Sequence, residues 1–233
     1  MERDVIIALD FSSSEEVFSF LGRLEHKAFV KVGMKLFYKE GPSIVTRLKS
    51  EEYKVFLDLK LHDIPNTVRH GMKSIASLGA DMVDLHIAGG AAMIEGVREE
   101  LDALDHPPLL LGITQLTSTS EAQMHEELLL REDYSLEDVV SAYAKLGLDA
   151  GLDGIVCSPL EVPRLQEISK DIITVTPGIR LAGAKGDDQT RIVTPEKARE
   201  LGSTFIVVGR PITKAEDPKE AYETICKAFK EGV

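Results

Sequence analysis

Short apolar runs recur along this chain, separated by longer stretches whose apolar residues fall on one face of a helix. The first run is Val5-Ile6-Ile7-Ala8-Leu9, and others span 28–32, 55–59, 82–85, 109–113, 154–157, 172–175 and 205–208. Most are rich in Val, Ile and Leu, as parallel strands covered by helices should be. Helix signals lie between them. Ser12-Ser13-Ser14-Glu15-Glu16 is an N-cap cluster before Val17, Phe18 and Leu21. Pro65 opens a helix through Val68, Met72 and Ile75 that Gly79 ends. Ser135-Leu136-Glu137-Asp138 has capping-box character before Val139, Val140 and Tyr143. Thr194-Pro195-Glu196 opens a short helix closed by Gly202, and Pro218 leads into Ala221, Ile225 and Phe229.

Strand alternating with helix eight times predicts a parallel α/β fold, a single (β/α)8 barrel over residues 1–233. A doubly wound open sheet is the other arrangement the alternation permits. No linker composition interrupts the chain, so one catalytic domain is expected. The polar stretches 118–133 and 181–193 are the loop candidates.

Charge interrupts the strands where a buried strand should be apolar. Asp10 closes the first run, Lys31 sits between Val30 and Val32, and Asp58 and Lys60 alternate with Leu57, Leu59 and Leu61. Side chains of a strand alternate between faces, so the three leucines would face the helices. Asp58 and Lys60 would then face the barrel interior near its C-terminal mouth, where active sites of this fold sit. A structural salt bridge is the plain alternative. Burying ions costs several kcal/mol each, however, and four charges on three successive strands favour a working site. Asp63 follows Lys60 by three residues. Carboxylates at Asp58 and Asp63 would keep the lysine charged, which suits a general acid rather than a Schiff-base nucleophile. Asp10, Asp58, Asp63, His62 and His86 could supply hard metal ligands. Lys31 and Lys60 already bring positive charge to the same place, so no metal is expected.

Barrels of this type bind phosphate with the loops after strands seven and eight. Here Thr176-Pro177-Gly178-Ile179-Arg180 follows strand seven, then a Gly-containing loop, Ala182-Gly183-Ala184-Lys185-Gly186-Asp187-Asp188-Gln189. Strand eight ends in Val208-Gly209-Arg210-Pro211-Ile212. Gly209 lets backbone N–H groups approach an oxyanion closely, and Arg210 can clamp it in bidentate fashion.

The 233 residues carry a formal net charge of -12, with 43% hydrophobic and 28% charged residues. That balance disfavours non-specific binding to nucleic acid or anionic membranes. Cys157 and Cys226 are far apart and form no metal spacing, which predicts reduced thiols. Met1-Glu2-Arg3-Asp4 runs directly into the first strand without a signal-peptide pattern, and no apolar run approaches the roughly 20 residues of a membrane span. A cytoplasmic protein is expected.

The segment Asp58-x-Lys60-x-x-Asp63-Ile64-Pro65-x-Thr67 resembles the orotidine 5′-phosphate decarboxylase family. The resemblance covers essentially the whole chain. Ala8-Leu9-Asp10, Phe29-Val30-Lys31-Val32-Gly33, Leu116-Thr117-Ser118 and the two phosphate-type loops support it. The Asp-x-Lys-x-x-Asp core is shared with related barrels acting on sugar phosphates. The proline–threonine continuation and Pro-Gly-Ile-Arg favour the nucleotide enzyme.

The resemblance implies cofactor-free decarboxylation of orotidine 5′-monophosphate (OMP) to uridine 5′-monophosphate (UMP), in a homodimer with shared active sites. Lys60 would protonate C6 of the pyrimidine. Lys31, Asp58 and Asp63 would complete a charged tetrad, with Asp63 reaching in from the partner. Asp10 and Lys31 would hold the ribose hydroxyls, Ile64 and Thr67 would line the partner's side, and Thr117 would lie near the pyrimidine. Arg180, Gln189, Gly209 and Arg210 would bind and cover the phosphate; the Gly-rich composition of 181–193 separately suggests a loop that phosphate binding closes. Gln115 receives no role. The rival readings are a metal-dependent sugar-phosphate decarboxylase or aldolase on the same barrel, and a phosphate-ligand binder without catalysis.

Overall fold

The computed structural model describes residues 2–181 and 192–232. Eight parallel strands close into a barrel in sequence order: β1 (Asp4–Ala8), β2 (Phe29–Gly33), β3 (Lys54–Leu61), β4 (Met82–His86), β5 (Leu109–Ile113), β6 (Gly154–Val156), β7 (Ile173–Thr176) and β8 (Phe205–Val208). β8 returns to β1, pairing Val5 with Ile206 and Ile7 with Val208. No strand edge is left over, so the open-sheet alternative is excluded.

Period-two alternation divides the strand residues into two cores. Ile6, Ala8, Phe29, Phe56, Met82, Leu111, Val175, Phe205 and Val207 pack together inside the barrel. Phe29 and Phe205 meet edge to face there, 6.0 Å between centroids. Their neighbours in sequence, among them Ile7, Val30, Leu57, Val83 and Ile206, join the larger core between barrel and helices. Leu57 and Leu59 are buried in that outer core and Leu61 packs against it, as the alternation predicted.

The helices are α1 (Ser14–Leu21), α2 (Met34–Glu40), α3 (Ser43–Ser50), α4 (Pro65–Ala76), α5 (Ala91–Asp102), α6 (Glu121–Glu126), α7 (Leu136–Asp149), α8 (Val162–Ile168), α9 (Pro195–Glu200), α10 (Arg210–Thr213) and α11 (Pro218–Lys230). Their starts follow side-chain chemistry. Ser13 accepts from the Glu16 N–H at the head of α1, Ser135 and Asp138 form a reciprocal capping box on α7, and Thr194 caps α9. Gly79 and Gly202 take the left-handed conformation past the ends of α4 and α9, at φ 78° and 93°.

The 118–133 stretch departs from expectation. It contains α6, capped by a Ser120–Gln123 box, and only Met124 of that helix is buried. A six-residue helix with one buried anchor leaves no apolar period to detect. The other loop candidate, 181–193, lies almost wholly outside the described residues, and Gln189 with it.

Candidate active site

The C-terminal ends of the strands surround a cavity of about 590 Å³, within the range of small-molecule sites. Asp10, Lys31, Asp58, Lys60, Thr117, Arg180, Gly209 and Arg210 all line it. Residues on β2 and β3 and residues just after β1, β5, β7 and β8 thus converge although 200 positions separate Asp10 from Arg210.

Its centre is a buried ion network. Asp58 is 8% exposed and is held from both sides. Lys31 Nζ lies 3.0 Å from Asp58 Oδ2, and Lys60 Nζ is ion-paired with Asp58 Oδ1. Lys31 also approaches Asp10 Oδ1 at 3.8 Å. Burial alone would raise the Asp58 pKa, but Lys31 and Lys60 outweigh it and hold this carboxyl far below the usual carboxylate range. Burial likewise works against the Lys31 charge. Asp58 and Asp10 overcome it, and its pKa is raised. The result is an ionised carboxylate gripping an ammonium group on each oxygen.

Lys60 reaches this position by an irregular backbone. β3 pairs with β4 through Phe56↔Met82 and Leu57↔Val83, and the register then shifts before Leu61↔Leu85. Lys60 occupies this bulge at φ 50°. A left-handed conformation costs a residue with a Cβ about 1–2 kcal/mol, so something must compensate it. Asp84, fully buried inside β4, accepts the N–H groups of Leu59 at 3.0 Å and Lys60 at 2.8 Å on Oδ1.

Sequence reasoning missed Asp84, having read 82–85 as an apolar run. The signal was a carboxylate between Val83 and Leu85, the same kind of interruption that marked Lys31. The second carboxyl group beside Lys60 within this chain is therefore Asp84, whose Oδ2 lies 4.0 Å from Nζ. Asp63 is exposed and accepts the N–H of Ile64 at 2.6 Å. Asp63, Ile64 and Thr67 do not line their own chain's cavity. Ile64 is 68% exposed at the head of α4.

On the far side of the ring, Gly178 takes φ 88°, and the Arg180 N–H donates to the Val193 carbonyl at 2.9 Å. This ties the segment after β7 to the residues before α9. Gly209 precedes α10, and Arg210 is its first residue. A Cβ on Gly209 would stand 3.6 Å from Ala8 Cβ and 3.8 Å from Asp10 Oδ2, in ordinary contact with the cavity lining. Gln115, which sequence reasoning left without a role, is buried at the cavity wall. Among the described residues no three His, Cys, Asp or Glu side chains gather to hold a metal ion.

Comparison with known proteins matches residues 3–225 to the Orotidine 5′-phosphate decarboxylase / HUMPS family. The chain belongs to that family. Proteins named orotidine 5′-phosphate decarboxylase from Bacillus cereus (strain G9842) and Bacillus cytotoxicus are each 54% identical over 239 aligned residues, covering 100% of this chain and 99% of the relative. The crystal structure of orotidine 5′-phosphate decarboxylase from Lactobacillus acidophilus is 44% identical, with a TM-score of 0.87 over 98% of this chain and 99% of that one. An uncharacterized conserved protein from Geobacillus kaustophilus is similarly close, at 44% identity and a TM-score of 0.85, covering 97% of this chain and 99% of that chain. Membership of this family agrees with both the barrel and the lysine–carboxylate cluster at its mouth.

Proposed function

We propose that this chain decarboxylates OMP to UMP and carbon dioxide in pyrimidine biosynthesis, without a cofactor, working as one catalytic barrel domain. The observation that carries the reading is the Lys31–Asp58–Lys60 network inside the cavity, in a chain whose full-length relatives at 54% identity bear that enzyme's name.

Loss of carbon dioxide leaves an electron pair on C6 of the pyrimidine. No ring position offers an electron sink for it, so the protein must stabilise the charge. Lys60 is placed to do so: its ammonium, fixed against Asp58, stabilises the developing carbanion more than the ground state. It then gives a proton from Nζ to C6. Asp58 faces the substrate carboxylate, and Lys31 and Asp10 hold the ribose hydroxyls. Thr117 borders the pyrimidine. Arg180 and Arg210, with the Gly209 backbone, hold the phosphate. Gln189 would join them, although it lies outside the described residues.

The ring of eight separates these tasks. β3 and β7 stand four strands apart, so phosphate binding and proton transfer occupy different walls of the cavity. Binding energy gathered at the phosphate can therefore hold the pyrimidine against Lys60. The metal-dependent alternative fits this site poorly, because the ammonium groups of Lys31 and Lys60 already occupy both oxygens of Asp58.

The working form is a homodimer in which Asp63, Ile64 and Thr67 serve the neighbouring cavity. Their exposure and their absence from their own cavity's lining support this. The protein acts in the cytoplasm, on a nucleotide and not on nucleic acid or membranes. The net charge of -12 supports that, and Cys157 and Cys226 form no disulfide. No helix among the described residues is long and apolar enough to cross a membrane.

The test is the absorbance change on mixing pure protein with OMP in excess EDTA. Conversion to UMP is expected. A folded dimer that is inactive under these conditions, yet active on sugar phosphates with magnesium, would overturn the assignment.

A further inference from the structure

The interruption of the β3–β4 ladder leaves two N–H groups of the bulge, those of Leu59 and Lys60, directed at one atom, Asp84 Oδ1. Asp84 is completely buried among barrel residues; as a carboxylate its Oδ2 would accept no hydrogen bond, and only when protonated can it hydrogen-bond to the neighbouring Asp58 carboxyl. A fully buried carboxyl set beside a second carboxyl is costly to keep. Apolar residues would fill the same interior position without that cost, as Met82 does one layer below on the same strand. What Asp84 supplies and an apolar side chain cannot is an acceptor reaching two consecutive N–H groups of an adjacent strand.

We propose that Asp84 is a positioning residue for the decarboxylation. Its carboxyl oxygen takes the place of a β4 backbone acceptor, holds Lys60 in its left-handed conformation, and thereby aims the Lys60 ammonium at Asp58 and the substrate carbon. This rests on the activity proposed above. The role does not depend on the carboxyl's charge: burial first, then the charge of Asp58, push its pKa well above the usual carboxylate range. A neutral acid still accepts through Oδ1, which is all this role requires. An amide of the same shape should serve equally, and an apolar residue of similar volume should not.

The experiment compares Asp84→Asn with Asp84→Val on OMP. We expect Asp84→Asn to keep kcat within about 3-fold of the parent, because the amide oxygen replaces Oδ1. Asp84→Val should lose about 100-fold or more in kcat, the scale of a misplaced catalytic group, with KM within about 3-fold. A second readout follows Lys60 itself. In protein carrying 15N-labelled lysine, the Lys60 Nζ signal should shift in Asp84→Val and stay in place in Asp84→Asn.

A folded Asp84→Asn as inactive as Asp84→Val would overturn the proposal, since the charge and not the acceptor would then matter. So would a folded Asp84→Val with unchanged kcat. Should the valine variant not fold, Asp84→Ser, too short to reach both N–H groups, takes its place with the same expectations and the same overturning result. If the parent protein does not turn over OMP but the Lys60 signal behaves as expected, the activity reading fails and the positioning role stands.

Discussion

Asp58→Asn tests the buried network most directly, because the substitution keeps shape and removes charge. The parent carboxylate is 8% exposed, with one ammonium at 3.0 Å and a second ion-paired to its other oxygen. At an effective dielectric of 20, a pair at that separation attracts by about 5 kcal/mol. Much of this only offsets the cost of taking the ions out of water. The cost of breaking the network is the larger observable. Removing one partner of a buried pair typically costs about 3–5 kcal/mol, because the remaining charge stays buried. For a chain of this size each kcal/mol lowers Tm by about 2–4 °C, so Asp58→Asn should unfold about 6–20 °C below the parent at neutral pH.

The pH dependence follows from the lowered Asp58 pKa. A carboxyl that titrates lower in the folded than in the unfolded chain stabilises fully above its unfolded pKa of about 3.9. That contribution is lost only as pH falls toward the folded value. The Tm gap between parent and variant should therefore be flat from about pH 8 to pH 5 and narrow below about pH 4. Thermal unfolding followed by circular dichroism across that range measures it. Adding Lys31→Met to Asp58→Asn should cost less than the sum of the single changes, since it removes one of the stranded ammonium groups. A variant melting within 2 °C of the parent at pH 7, roughly the worth of a single kcal/mol or less, would refute the claim that Asp58 neutralises two buried lysines.

Three further outcomes are expected. Lys60→Ala should lower kcat by about 10⁴-fold or more, from lost proton donation and lost charge stabilisation together, with an unchanged circular dichroism spectrum. Near-parent turnover would remove Lys60 from the chemistry. Arg210→Ala should reduce kcat/KM by about 10–150-fold, mainly through KM, as loss of a charge-assisted phosphate contact predicts. An unchanged kcat/KM would mean that Arg210 does not hold the phosphate. Lys60→Ala and Asp63→Ala, each inactive alone, should regain roughly a quarter of parental activity when subunits are exchanged in equal amounts. Half of randomly formed dimers are mixed, and one of their two sites is intact; no recovery in demonstrably mixed dimers would rule out a shared site.

Most of the barrel was legible because its strands are buried on both faces. The runs from Val5 to Val208 needed little more than length and composition to be placed. The inward direction of Asp58 was legible for the same reason that Leu57 and Leu59 point outward. Lys60 is a subtler case. Alternation placed it correctly at the mouth, yet the backbone there leaves regular β geometry, and its aim depends on a bulge that no local pattern announces. Asp84 was hidden because one acid inside a short apolar run reads as noise until the neighbouring strand's N–H groups are seen to need it. The role proposed for Asp63 rests on the family resemblance and not on any local rule, since its own cavity does not include it.

The interior of the barrel changes character with height. On β2, β3 and β4 the lower inward positions are Phe29, Phe56 and Met82, and the next inward positions are Lys31, Asp58 and Asp84. One step of the period-two pattern on three adjacent strands thus exchanges an apolar layer for a polar one that includes the Lys31–Asp58 ion pair. The apolar layer beneath stabilises the fold, so the layer above can hold buried ions and a left-handed lysine. Three consequences separate this layering from a general claim about active sites. Trimming Met82, which is buried in that layer and does not line the cavity, should destabilise the protein while sparing KM. Trimming Asp58 should damage both stability and turnover, because its two lysines belong to both. Changing Asp84 to asparagine should damage neither much, because its oxygen is what the backbone uses.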